Sequence, residues 1–75
     1  MNYTDYIESD AQVMIGKPVI KGTRITVATV LKKLSEGATV PQLLEAYPTL
    51  TETSIQAVLA YASDVIGNEV MISMV

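Results

Sequence analysis

From Val27 to Ile66 the apolar residues recur at intervals of three and four, whereas Val19-Ile20 and Ile25-Thr26-Val27 are short β-branched runs on either side of a Gly-bearing turn. That change of period divides the chain into an N-terminal β element and a helical remainder. Val27, Val30, Leu31 and Leu34 share one helical face, with Thr26 placed to cap the helix and Gly37 to stop it. Thr29, Lys33 and Glu36 fall on its polar side. A second helix is predicted from Thr39 as cap, with Pro41 in its first turn, where a missing N–H does no harm. Its apolar stripe is Val40, Leu43, Leu44 and Tyr47, and Pro48 ends it. The third and longest helix follows Thr51 as cap. Its predicted core stripe is Ile55, Val58, Leu59, Ala62, Val65 and Ile66, its predicted outer face is Thr53, Gln56, Ala57, Ala60 and Asp64, and Gly67-Asn68 is its predicted end.

The N-terminal part reads differently. Tyr3 to Glu8 predicts a short strand or extended arm, and Ser9-Asp10-Ala11 the start of a helical turn. Pro18-Val19-Ile20 and Arg24-Ile25-Thr26-Val27 flank Lys21-Gly22-Thr23, which predicts a tight hairpin turning on Gly22. At the other end, Val70-Met71-Ile72-Ser73-Met74-Val75 is apolar on both alternating faces. Such a run is either the last strand of the domain's own sheet or a segment that docks on a partner. The expected fold is therefore mainly α: a short N-terminal β hairpin, a three-helix core resembling a helix-turn-helix, and an apolar C-terminal strand. Residues 1–75 form one small domain, divided into a β element (1–26), a three-helix core (27–67) and an apolar tail (68–75).

At 75 residues such a domain buries a small fraction of its surface and needs reinforcement. The chain has no Cys and no His, which removes disulfides and ordinary zinc sites. Association is the remaining aid. A hydrophobic share of 49% fits it, so a homodimer is expected. No apolar run approaches the roughly 18 residues of a membrane span, and the acidic opening MNYTDYIESD has no resemblance to a secretory signal. A cytoplasmic location is the expectation.

Charge changes the picture most. All five Lys and Arg fall at Lys17, Lys21, Arg24, Lys32 and Lys33, and all eight acids lie outside the stretch from Ala11 to Ser35. Segregation of this kind marks a face for a polar ligand or partner. An enzyme is not expected: common general bases and thiol nucleophiles are missing, no nucleophile elbow occurs, and no two carboxylates sit three or four apart within one predicted helix. Gly16-Lys17 is no phosphate loop, because Pro18 and a strand follow. Catalytic residues, metal ligands and cofactors are all expected to be none.

Two binding classes remain. For DNA, the candidates are Lys17, Lys21, Arg24, Lys32 and Lys33, with Thr53 and Gln56 at the start of the third helix. Against DNA, the net charge is −3, the third helix carries no Lys or Arg, and Glu52 lies in its first turn. For a protein partner, the candidates are Arg24, whose guanidinium can grip a carboxylate through two parallel hydrogen bonds, and Val70, Met71, Ile72, Met74 and Val75 of the tail. Arg24 has a purely structural alternative, tying down the hairpin or a helix end.

Gly16-Lys17-Pro18-Val19-Ile20-Lys21-Gly22-Thr23-Arg24-Ile25-Thr26-Val27 closely resembles the bacterial family called domain of unknown function 433. The resemblance continues through Leu34, Gly37, Leu43, Leu44, Tyr47-Pro48, Leu50-Thr51, Ile55, Ala57 and Tyr61-Ala62, spanning roughly Ile7 to Ala62. It implies a homeodomain-like helix-turn-helix fold and an antitoxin, often encoded beside a small PIN-like ribonuclease toxin that it binds and restrains. It also implies operator DNA as a further partner. The alternative is a homodimeric DNA-binding regulator without a toxin. The motif positions carried over are Gly16, Lys17, Pro18, Gly22, Thr23 and Arg24. This chain departs from the family in having Ile15 where Gly often precedes Gly-Lys-Pro, and in keeping one acid, Glu52, where an acidic pair is usual.

Overall fold

The computed structural model describes residues 1–12 and 14–69. Its elements are β1 (Ile7–Glu8), β2 (Val19–Ile20), α1 (Val27–Ser35), α2 (Val40–Ala46) and α3 (Glu52–Glu69), with a single 3₁₀ turn at Tyr3–Asp5 and an irregular turn at Met14–Gly16, where Ile15 and Gly16 both have positive φ. The mainly helical architecture, with three helices after a small antiparallel pair, is the one the change of period indicates. The expected C-terminal strand and the candidates Val70, Met71, Ile72, Met74 and Val75 lie outside the described residues, whereas Asn68 and Glu69, assigned to the tail by sequence, belong to α3.

The β pairing differs from the expectation. β1 pairs antiparallel with β2, Ile7 opposite Ile20 and Glu8 opposite Val19. The predicted partner run, Arg24 to Val27, contributes one bridge, Thr26 opposite Val19, before the chain turns into α1. The reason lies at Thr26. Its backbone is extended, but its side-chain oxygen accepts from the Thr29 N–H at 3.0 Å, so the residue that would extend the strand caps the helix instead. The Thr29 hydroxyl also meets that of Thr26 at 2.8 Å, which leaves Thr29 half-buried rather than on the polar side. The Ser9–Ala11 segment forms no helix. Asp10 accepts from the Gln12 N–H through its side chain, a local turn.

The helix ends follow the sequence closely. Gly37 has φ of 99°, the left-handed stop after α1. Thr39 and Gln42 form a reciprocal capping box at α2, with Pro41 in its first turn. Thr51 and Ser54 repeat that device before α3: the Ser54 N–H donates to Thr51 Oγ1 at 3.1 Å, and the Thr51 N–H donates to Ser54 Oγ at 2.9 Å. Ser54 is buried and still satisfied.

The core gathers Ile7 and Ile20 from the strands, Val27 and Val30 from α1, Leu43 from α2, Leu50, and Ile55, Ala57 and Val58 from α3. Here the predicted face of the third helix needs correction. Ala57, placed outside by sequence, is wholly buried, while Leu59, Val65 and Ile66 are exposed at 48%, 39% and 60%. The buried side is Ser54, Ile55, Ala57 and Val58, with Tyr61 half-buried. Small residues there let neighbouring elements approach the helix backbone closely, so size and not hydrophobicity alone chose the face. Gly67 does not end the helix either. α3 runs on to Glu69, and residues 63–67 are exposed on every side.

Candidate partner-binding surface

The cationic segment is built around one braced turn. The Thr23 N–H donates to the Ile20 carbonyl at 3.0 Å, closing a four-residue turn whose third residue, Gly22, has φ of 79°. That is the requirement of a type II turn, which only Gly meets without strain. Thr23 then braces the turn twice more, its hydroxyl donating to the Ile20 carbonyl at 2.8 Å and accepting from the Ile25 N–H at 3.0 Å. Ile20 N–H to Ile25 carbonyl at 3.0 Å, and Lys21 N–H to Tyr6 carbonyl at 2.8 Å, tie the turn to its own return strand and to β1. Val27 N–H to Pro18 carbonyl at 3.0 Å fixes the entry to α1.

These bonds divide the motif Gly16 to Val27 into two sets. Gly16 (φ 80°), Pro18, Gly22, Thr23 and Thr26 shape the backbone. Lys17, Lys21 and Arg24 do not. Their side chains are exposed, and among the described residues none of them forms an ion pair. The structural alternative for Arg24, a clamp on the hairpin, therefore finds no support in these contacts. Lys32 and Lys33 are exposed on the last turn of α1, and Lys32 lies 3.7 Å from Glu36 one turn on. With side chains 76% and 54% exposed, that pair contributes little to stability. It leaves Lys33 without an acidic partner among the described residues. Thr53 and Gln56 are exposed at the start of α3, on a helix with no cation of its own and with Glu52 in its first turn.

Three features of this region escape a reading of composition and spacing. Ile15 adopts φ 57° and ψ 40°, the left-handed conformation that a β-branched side chain resists, and it is 91% exposed. The turn a Gly would make is thus kept, and the side chain is carried into solvent beside Lys17. The only sequence signal is the departure at Ile15 itself. Next, Tyr3 donates to Asp64 Oδ2 at 2.6 Å and packs edge-on against Tyr61, ring centroids 5.4 Å apart. The hydrogen bond to the Asp64 carboxylate, supported by burial and by its charge, raises the Tyr3 phenol above its ordinary 10.0. Nothing in local spacing signals a contact across 61 residues. Finally, a shallow cleft of about 180 Å³ lies between the N-terminal segment and α3, with Tyr3, Ile7, Pro18 and Tyr61 in its walls.

Among the described residues no group of acidic side chains is placed to hold a metal ion, and no helix is long and apolar enough to cross a membrane. The surface offers charge presented on a rigid turn.

Comparison with known proteins fits the motif that this turn is built from. The model of the family described as protein of unknown function, DUF433, matches residues 7–62. The uncharacterized protein y4eO of Sinorhizobium fredii (strain NBRC 101917 / NGR234) is 33% identical over 58 residues. That match covers 77% of this chain and 26% of the relative, so the chain spans about a quarter of the length of the curated protein it matches. No solved structure matches. The braced turn, α1, α2 and the capped first part of α3 lie inside the matched region, and the chain belongs to the DUF433 family.

Proposed function

We propose that this chain is an antitoxin-like binding protein, which grips and restrains a cognate PIN-like ribonuclease through its cationic turn. One observation carries the reading: Lys21 and Arg24 stand exposed and unpaired, among the described residues, on and beside a turn held by five hydrogen bonds to or around Ile20, Thr23 and Ile25, with Lys17 likewise exposed and unpaired three residues before it. A backbone held this firmly loses little freedom on binding, which is the condition under which exposed charges contribute to affinity. Arg24 suits a carboxylate of the partner, through paired hydrogen bonds, and the lysines suit the acidic rim around it. The antitoxin role comes from the resemblance of Gly16–Val27 to the family motif. The test is co-expression with the small nuclease encoded beside the gene. A stable complex and restored growth support the reading. A folded chain that neither co-purifies nor rescues removes it.

Operator binding is the second reading, favoured by the exposure of Thr53 and Gln56 on the first turns of α3, directly after the short link from α2. Lys32 and Lys33 would supply phosphate contacts. It predicts a gel shift with upstream DNA at low salt, weakened by added salt and abolished by Lys32→Glu with Lys33→Glu. A flat titration at low salt ends it.

A further inference from the structure

The C-terminal half of α3 meets the rest of the domain on one side only, where Tyr61 and Asp64 contact Tyr3. Val58 is the last fully buried residue of the helix, and residues 63–67 are exposed although the helix continues to Glu69. Helical turns without packing are marginal in water, and a Gly inside them makes matters worse. Gly67 is not required by the fold: a Cβ there would meet nothing within 4 Å, and its φ is not among the positive ones. Yet on the side away from Tyr3 the helix presents Leu59 and Ile66, 48% and 60% exposed. They lie seven residues apart and therefore on one face, with Ala62 and Ser63 between them.

We propose that this face of α3 pairs, antiparallel, with the same face of a second copy of the chain. Charge selects the occupant. Between Ile55 and Gly67 the only charged residue is Asp64, and it is turned away from the Leu59–Ile66 face to accept from Tyr3. A heterologous partner offering cations finds no acid to pair with along this stretch, whereas a second copy brings an equally uncharged surface. Antiparallel pairing about the midpoint between Ala62 and Ser63 sets Leu59 of each copy against Ile66 of the other. The small residues Ala60, Ser63 and Gly67 let the backbones approach. Glu69 and Glu52 lie between six and eleven residues from that midpoint, roughly 10 and 15 Å along the helix, and the antiparallel register sets Glu69 opposite the uncharged Gln56 of the other copy. The two helix dipoles oppose one another favourably. The face is separate from the cationic turn, and the inference stands whether or not a nuclease is bound.

The 75-residue chain is expected to sediment at micromolar concentration with a mass near twice 8.1 kDa. Leu59→Glu combined with Ile66→Glu should shift it to the monomer while far-UV helicity from the packed part of the fold persists. Because the chain has no cysteine, Ser63→Cys gives a clean second probe. A short bis-maleimide should join two Ser63→Cys chains, and should not join chains carrying Lys33→Cys on α1. A wild-type monomer at tens of micromolar overturns the proposal. So does a dimer that survives the double substitution, or one cross-linked equally well through position 33, since another surface would then hold it.

Discussion

Tyr3 and Asp64 stand 61 positions apart and meet at 2.6 Å, the phenol donating to the carboxylate. This bond, with the edge-on contact of Tyr3 and Tyr61, fastens the N-terminal segment to the middle of α3. It thereby holds β1 against the helix whose far end projects from the domain. The anchoring is pH-dependent, with a sign that follows from the raised Tyr3 phenol. A group whose folded pKa lies above its unfolded value stabilises the fold fully below the unfolded value. That contribution is lost as pH rises through the folded one. The contact is therefore intact at neutral pH and fails in alkali, above the ordinary phenol value of 10.0. Absorbance titration of the phenolates should show a late component that Tyr3→Phe removes, and Tyr3→Phe should lower the melting temperature at pH 7. A late component that persists in the Tyr3→Phe chain, with amplitude lost only from the earlier part of the curve, contradicts the contact.

Ile15 should be replaceable with profit. A β-branched residue at φ 57° carries backbone strain, and its side chain, 91% exposed, gains almost no burial in return. Ile15→Gly relieves the strain and is expected to stabilise the chain by about 1 kcal/mol, read as a higher urea midpoint at unchanged slope. Destabilisation would show that the turn around Gly16 is not the one described.

The register of α3 can be checked by two truncations. Ile55 is 1% exposed, so Ile55→Ala opens a cavity and should lower stability by about 2–5 kcal/mol. Leu59→Ala, at a position 48% exposed, should change the stability of the isolated fold by no more than about 0.5 kcal/mol. Measuring both at concentrations low enough to disfavour association separates folding from pairing. Equal losses would restore the face that periodicity alone suggests.

The reciprocal cap of Thr51 and Ser54 predicts coupling. Each hydroxyl serves the other's amide, so Thr51→Ala should destabilise by about 1 kcal/mol. The double change with Ser54→Ala should fall short of the sum of the singles, because both remove one shared device. Strict additivity in a double-mutant cycle would mean the two caps act separately.

How much of this was legible in the chain depends on the range of the interactions. Thr26, Thr39, Thr51, Gly22 and Gly37 act within four residues of themselves, and each does in the structure what its type and spacing predict. The pairing of β1 with β2 and the burial of Ala57 are set by residues far away in sequence. In α3, a periodicity that counts hydrophobic residues includes Leu59 and Ile66 and omits Ala57, since it does not weigh how closely another element approaches. The cationic segment was visible from charge segregation alone. Which of its residues shape the turn and which are left to act outward emerged only from the hydrogen bonds of Thr23, Pro18 and Ile20.

The most direct test of the binding role is the activity of the purified neighbouring ribonuclease, titrated with the folded chain. Stoichiometric suppression by the wild type, lost when Lys17, Lys21 and Arg24 are together replaced by Glu, is the predicted result. Undiminished cleavage at a molar excess of folded wild-type chain would contradict it.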